Sequence, residues 1–161
     1  MVTRFDVQDI VILSYLTEDM IQRLLPEMEL LRFAEGEIIF HSGDPADTFY
    51  MLKRGKILLE QRVSEKVTIS MGTVKPGHSF GWSAMLGDEK FSLDTVCGEP
   101  CEVLKIRAKT LHGMLEDDHS MGYRFMHQLL HILRRRLDLR TELFLKLIRN
   151  HPDIEPLIKE D

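Results

Sequence analysis

Residues 76–96, PGHSFGWSAMLGDEKFSLDTV, hold the side chains best suited to binding a small anion. Glycines precede a short helical run here. Glycine lets the backbone approach a ligand closely, and the first N–H groups of a helical run attract an anion. Lys90 offers a positive charge from the adjoining loop, and Ser83 and Ser92 offer hydroxyl donors. The segment therefore carries part of the chemistry of a phosphate-binding loop.

Three side chains of this segment have two interpretations each. His78 could contact a ligand or lie in an exposed turn. Trp82 could stack on a flat ligand, because large aromatic faces suit that role, or it could fill the pocket with its indole N–H on a backbone carbonyl. Lys90 could contact the anion or face water, as most loop charges do.

The elements that position this segment are predicted to be a helix near the N-terminus and then a series of short strands. Thr17 is placed to cap a helix that Pro26 helps to end. From Leu31 to Arg107, short β-type runs alternate with turn signals. Three of these turn signals are the glycines Gly36, Gly43 and Gly55. Strands this short at this spacing predict an all-β sandwich or barrel.

The last third of the chain predicts a short helix over residues 109–118 and a long helix over residues 119–149. Two stripes at helical spacing follow the long helix, the first being Met126, Leu130, Leu133, Leu137, Arg140, Phe144 and Leu147. The second stripe is Phe125, Leu129, Ile132, Leu139 and Leu143. Together they are wider than docking on one sheet demands. We therefore expect a homodimer through helix 120–148, the alternative being that one chain hides both stripes.

The order of these elements, and the motif FAEGEIIFHSGDPADTFYMLKRGKI, resemble the cyclic nucleotide-binding domain family over roughly residues 10–145. The resemblance implies a mainly β fold with flanking helices. It would be an eight-stranded double-stranded β-helix, or jelly roll, of the catabolite activator type, with an N-terminal helix and two C-terminal helices. We expect this domain over residues 1–149, with the β-roll at about 29–108, the C-terminal helices at about 109–149 and a tail at 150–161.

The resemblance places residues 76–96 at the family's phosphate-binding cassette, roughly Phe-Gly-Glu, then Ala-Leu, then an arginine before Thr-Val. In that pattern the glutamate accepts from the ribose hydroxyl and the arginine pairs with the phosphate. The matching positions here are Phe80, Gly81, Ala84, Met85, Thr95 and Val96. Trp82 stands at the glutamate position, and Phe91 or Ser92, depending on the direction of counting, stands at the arginine position.

These departures define the expected site and its ligand. The candidate ligand-binding residues are His78, Phe80, Gly81, Trp82, Ser83, Ala84, Lys90, Ser92 and Thr95. Losing two hydrogen bonds to charged groups would weaken an ordinary cyclic nucleotide by about 10²- to 10⁴-fold. The leading hypothesis is a sensor of another anionic small molecule. The alternatives are a ligand-free dimerisation or interaction module with a collapsed pocket, and a cyclic-nucleotide receptor with a rearranged site.

Composition and charge argue against other classes of partner. The net charge of −5 is unlike the concentrated basic surface that nucleic acids require. Arg134, Arg135 and Arg136 spread around the long helix and are expected to face water. Few residues follow Arg149, so we expect no helix-turn-helix and no DNA binding by this chain alone. No export signal or long apolar run is found, which predicts a cytoplasmic protein without a membrane partner.

Motifs for catalysis, metal binding and redox chemistry are weak. No nucleophile elbow, P-loop or paired metal motif occurs, so we expect no enzyme. His127 and His131 could face one metal from the long helix, but a helix surface also explains them. Cys97 and Cys101 are expected to be reduced, structural thiols. The only cofactor the sequence suggests is a cyclic nucleotide or another small anion.

Overall fold

The computed structural model describes residues 1–87 and 89–153, and the end of the predicted tail, residues 154–161, lies outside them. The chain divides into two compact units, Met1–Phe125 and Met126–Asp161, and each is described by itself. The helices are α1 (Arg4–Val7), α2 (Glu18–Leu24), α3 (Ala108–Asp117) and α4 (His119–Arg149), with 3₁₀ turns at Val11–Leu13, Leu25–Glu27 and Trp82–Met85. The strands are β1 (Glu29–Phe33), β2 (Ile38–Phe40), β3 (Thr48–Arg54), β4 (Ile57–Ser64), β5 (Val67–Val74), β6 (Ser79–Phe80), β7 (Asp94–Cys97) and β8 (Cys101–Arg107).

Within the described residues the eight strands form two antiparallel sheets of four strands. One sheet has the order β1-β8-β3-β6, and the other has the order β2-β7-β4-β5. Helices flank the sheets in sequence on both sides, so the predicted jelly roll is confirmed. The N-terminal segment adds the short helix α1 before the predicted helix α2. The four residues of α1 are too few to leave a periodic pattern in the sequence.

The interior of the first unit is built from the alternating faces of β3 and β8. Phe49, Met51, Leu104 and Ile106 are at most 2% exposed. Phe49 meets Phe125 edge to face, with ring centroids 5.8 Å apart. Phe125 lies near the start of α4 and is the last residue of the first unit. Its contact with Phe49 therefore holds the start of α4 against the sheet.

The predicted caps and turns are present. Thr17 caps α2 by accepting a hydrogen bond from the Met20 amide at 3.3 Å. Gly55 shows why a turn here needs glycine: its φ is +98°, and a Cβ would lie 2.6 Å from the Pro100 carbonyl oxygen. The break between α3 and α4 falls at Asp118, whose carboxylate accepts from the Met121 amide at 3.0 Å.

Both C-terminal helices begin and end close to their predicted limits. The pattern for α4 continues over 31 residues without a helix-breaking proline. Each of the described helices is too short or too polar to span a bilayer.

Candidate ligand site at the Gly81 turn

The candidate site is built on β6 and the 3₁₀ turn that follows it. Phe80 pairs with Tyr50 across β6 and β3, so the start of the site is fixed by the sheet. Gly81 has φ 74° and ψ 35°, the left-handed conformation that turns the chain from the strand into the 3₁₀ turn. The Ala84 amide donates to the Gly81 carbonyl at 3.1 Å, which closes the turn.

Aromatic rings occupy the space against Gly81. The Phe40 and Phe91 rings stack with centroids 3.7 Å apart, and Tyr50 and Phe80 stack at 5.3 Å. A Cβ added to Gly81 would lie 3.2 Å from both the Phe91 ring and the Tyr50 ring. Phe40, Phe80 and Phe91 are at most 8% exposed. These four rings, Phe40, Tyr50, Phe80 and Phe91, are called the aromatic cluster below.

Burial also affects the one polar group of this cluster. The pKa of the Tyr50 phenol is raised, chiefly because burial disfavours the phenolate. The ring therefore stays neutral at physiological pH and adds no charge to the site.

Phe91 is held by backbone hydrogen bonds on both sides. Its amide donates to the Asp44 carbonyl at 3.0 Å, and its carbonyl accepts from the Gly43 amide at 2.8 Å. Lys90, its neighbour, forms an isolated β-bridge with Pro45. The loop after β2 thus aligns the 89–91 segment and directs the Phe91 ring inward.

The candidate residues predicted from the sequence differ widely in burial. Phe80, Ala84 and Thr95 are buried; His78, Gly81, Trp82 and Ser83 are half-buried; Lys90 and Ser92 are exposed. Lys90 makes no ion pair with any residue that the structure describes. The structure therefore brings Phe80, Gly81 and Ala84 together, and leaves Lys90 and Ser92 at the surface.

The polar side chains of the site mostly bond to the protein itself. Both hydrogen bonds of the Thr95 hydroxyl go to the Phe40 backbone, from its amide at 3.2 Å and to its carbonyl at 3.3 Å. The His78 ring donates from Nδ1 to the Pro76 carbonyl at 3.2 Å, as expected for a turn residue. Thr95 and His78 thus have a structural role in this conformation.

Trp82 is half-buried at the start of the 3₁₀ turn. Its indole N–H donates to the Ser79 hydroxyl at 3.1 Å, whereas we predicted a backbone carbonyl as the acceptor. Ser79 is fully buried, so this hydrogen bond is shielded from water. The Phe91 and Tyr50 rings lie against Gly81, a contact that no pattern in the sequence predicted.

His112 was not identified from the sequence. Its Nε2 donates to the Ala84 carbonyl at 3.1 Å and so joins α3 to the 3₁₀ turn. The two residues are 28 positions apart, and a lone histidine on a helix gives no signal of such a contact. This bond is a direct polar link between the candidate site and α3.

Cys97 and Cys101 are free, as predicted, and both are buried. Cys101 Sγ donates to the Glu99 carbonyl at 3.1 Å. Burial, and next the neighbouring Cys101, raises the pKa of the Cys97 thiol to about 12, so Cys97 is not a nucleophilic thiolate at neutral pH.

The predicted histidine pair lies on α4. The His127 and His131 rings are 4.6 Å apart. Among the described residues, no group of three or more His, Cys, Asp or Glu side chains is arranged to hold a metal ion. The described part of the chain therefore offers this pair no third ligand of these types.

Comparisons with known proteins agree with this architecture. The chain is similar to a cAMP-dependent protein kinase regulatory subunit of Hypocrea atroviridis, 33% identical over 108 residues that cover 67% of this chain and 22% of that protein. It is also similar to the cGMP-dependent protein kinase egl-4 of Caenorhabditis briggsae, 27% identical over 66% of this chain and 14% of that protein. It thus spans less than a quarter of either relative.

A solved structure gives the same fold at lower identity. A cyclic nucleotide-binding domain from Methylobacillus flagellatus KT superposes with a TM-score of 0.80 at 16% identity, covering 91% of this chain and 86% of that one. The family model described as the cyclic nucleotide-binding domain matches residues 30–118, from β1 to the end of α3. That match covers more than half of the chain and contains the whole Gly81 turn. The chain belongs to the cyclic nucleotide-binding domain family, whose members are regulatory domains.

Proposed function

We propose that this regulatory domain does not bind cAMP or cGMP in the usual manner of its family, because its own aromatic side chains occupy the ligand space. The observation that carries the proposal is the Phe91 ring, buried and stacked at 3.7 Å on Phe40. Counted forward from Phe80 and Gly81, Phe91 takes the position where the family pattern has its arginine. Because Ser92 is exposed, we infer that Phe91 and not Ser92 replaces that arginine.

The missing charged partners support the same conclusion. Trp82 stands at the glutamate position and directs its N–H to Ser79, so it offers no acceptor to a ribose hydroxyl. No arginine lies between Arg62 and Arg107. Each lost hydrogen bond to a charged group costs about 1.5–3 kcal/mol, and displacing a buried phenylalanine adds about 2 kcal/mol. A ligand of micromolar affinity would then bind no better than millimolar.

Thermal-shift titration with cAMP, cGMP, cyclic dinucleotides, linear nucleotides and inorganic phosphate tests this proposal. A ligand at about 100 times its Kd would stabilise the fold by about 2.7 kcal/mol. We expect no shift with cAMP or cGMP at micromolar concentration. A shift at that concentration would overturn the proposal.

Restoring the family side chains provides a second test. Trp82→Glu with Phe91→Arg should gain affinity for a cyclic nucleotide, because a guanidinium would then reach the space against Gly81. The matched control, Trp82→Glu with Ser92→Arg, places the arginine on an exposed residue and should gain nothing. Phe91→Ala, which opens the space without burying a charge, covers the case in which the double variant does not fold. Equal gains in both double variants would show that Phe91 is not the arginine position.

A sensor of a different anion is the second candidate function. It is favoured by the exposed Lys90 and Ser92, which lie beside the site and whose side chains make no hydrogen bond or ion pair with the described residues. A thermal shift with one non-cyclic anion, abolished by Lys90→Ala, would support it. The same shift in Lys90→Ala would place the anion elsewhere.

We also propose that the domain is a cytoplasmic, non-catalytic homodimer that pairs through α4 and does not itself bind DNA. Leu130, Leu137, Phe144 and Leu147 are each more than 60% exposed, and they lie on one stripe of the helix. Such a stripe is stable in water when a second copy covers it, and a two-fold pair is the commonest assembly.

Leu137→Glu should convert the dimer to a monomer, because it puts a charge in the middle of the stripe. Light scattering after gel filtration gives the mass directly. Leu145→Glu is the matched control, since Leu145 is also exposed but lies about 100° around the helix from the stripe. A monomeric wild-type protein would remove this part of the proposal.

A further inference from the structure

Arg140 interrupts the apolar stripe of α4. The stripe runs from Met126 to Leu147 at spacings of four and three, and Arg140 is its one charged member. Arg136 precedes it by one turn and is half-buried, whereas Arg140 is exposed. Burial, and next the charge of Arg140, lowers the pKa of Arg136 to about 10, which is consistent with two guanidinium groups close together.

The carboxylates of this part of α4 lie away from the stripe. Around the helix axis, Asp138 lies about 120° from the stripe and Glu142 lies about 160° from it. The Asp138 carboxylate is 3.9 Å from Arg134, on that other side. The described part of α4 therefore provides no carboxylate on the face where Arg140 lies.

Arg140 lies close to the middle of the stripe, so pairing two copies of the helix would place their two Arg140 residues near each other. This step rests on the proposed homodimer through α4. The middle of the stripe falls between residues 136 and 137, only three to four residues before Arg140. If two copies overlap along the whole stripe, the two Arg140 residues are level in a parallel pair. In an antiparallel pair they are about 10 Å apart along the axis, at 1.5 Å per residue.

Pairing thus concentrates positive charge at the centre of an apolar interface. Like charges repel more strongly as water leaves, and each desolvated charge without a partner costs several kcal/mol. Guanidinium groups bind phosphate oxygens with two parallel hydrogen bonds, and arginine is suited to this in partly buried sites.

We propose that the α4 dimer interface holds a multivalent oxyanion of the phosphate class between the two Arg140 side chains. The anion completes an interface that is otherwise repulsive at its centre. Because the site exists only in the dimer, the anion stabilises the dimer by mass action. The α4 interface would then report the concentration of such an anion.

Sedimentation equilibrium in chloride and in inorganic pyrophosphate, at equal ionic strength, tests this inference. Pyrophosphate at about 100 times its Kd should lower the dimer dissociation constant by about 100-fold. ATP is compared with pyrophosphate: equal effects assign the site to the phosphate groups alone, and an effect of ATP only assigns it to a nucleotide.

Arg140→Leu should dimerise more tightly than wild type in chloride and should lose the response to pyrophosphate. Arg135→Leu is the matched control, because Arg135 lies on the opposite side of the helix, and it should keep the response. A wild-type dimer with the same dissociation constant in both salts would overturn the inference and leave the dimer standing. A monomer under every condition, including Arg140→Leu, would overturn both.

Discussion

At Gly81, the absence of a side chain permits both the left-handed backbone and the close approach of the aromatic rings that close the ligand space. Its φ of 74° is unfavourable for a side chain, and a Cβ would press on the Phe91 and Tyr50 rings at 3.2 Å. Gly81→Ala should therefore carry two costs. The left-handed backbone costs about 1–2 kcal/mol, and forcing the rings apart costs about 1–3 kcal/mol. Urea unfolding should show a loss of about 2–5 kcal/mol, the sum of the two costs.

Gly36→Ala separates these two costs. Gly36 has a similar φ of 81°, but a Cβ there would meet nothing within 4 Å. We expect it to lose only the backbone cost of about 1–2 kcal/mol. Equal losses at both glycines would mean that the aromatic cluster yields to a methyl group. The ligand space would then be easier to open than the stacking suggests.

At the scale of elements, His112 links the Gly81 turn to α3. His112→Phe keeps the ring but removes the donor to the Ala84 carbonyl, which belongs to a buried residue. Leaving a buried acceptor without a partner costs about 1–3 kcal/mol. We expect that loss of stability in thermal unfolding. We also expect faster amide exchange over residues 82–86, because the 3₁₀ turn loses its anchor.

His119→Phe is the comparison for this variant, since His119 is an exposed residue close by in the sequence. It should leave the exchange of residues 82–86 unchanged. If His112→Phe also leaves that exchange unchanged, α3 and the turn are held together by packing alone. The hydrogen bond would then be incidental to any coupling between them.

Elements were easier to predict from the sequence than the contacts between them. The turn at Gly55, the cap at Thr17 and both C-terminal helices follow from local patterns that need no knowledge of distant residues. The inward direction of Phe91 does not, because it depends on the Asp44 and Gly43 backbone of another loop. Counting along the chain therefore left Phe91 and Ser92 as equal candidates, and our proposal of Phe91 draws its support from the pairing of the two loops.

At the scale of the first unit, a chain of charges joins its N-terminus to the sheet. Lys53 Nζ lies 2.8 Å from the Asp6 carboxylate and 3.1 Å from that of Glu102. Glu102 also accepts from Arg32 at 3.0 Å. These four residues connect α1 with β3, β8 and β1, so the acid stability of the unit should depend on them.

Asp6→Asn tests this charge network through pH. Bonds from Lys53, and next from Thr3, lower the pKa of Asp6 from 3.8 to about 2. A carboxyl whose pKa is lowered on folding stabilises the protein above its unfolded value and loses that contribution as the pH falls towards its folded value. The shift corresponds to about 2 kcal/mol at neutral pH. Urea unfolding should show Asp6→Asn less stable by about that amount at pH 7, with the difference disappearing between about pH 4 and pH 2. The comparison is Asp9→Asn, an exposed carboxylate outside this network. A pH-independent difference for Asp6→Asn would mean that shape, not charge, holds α1 on the sheet.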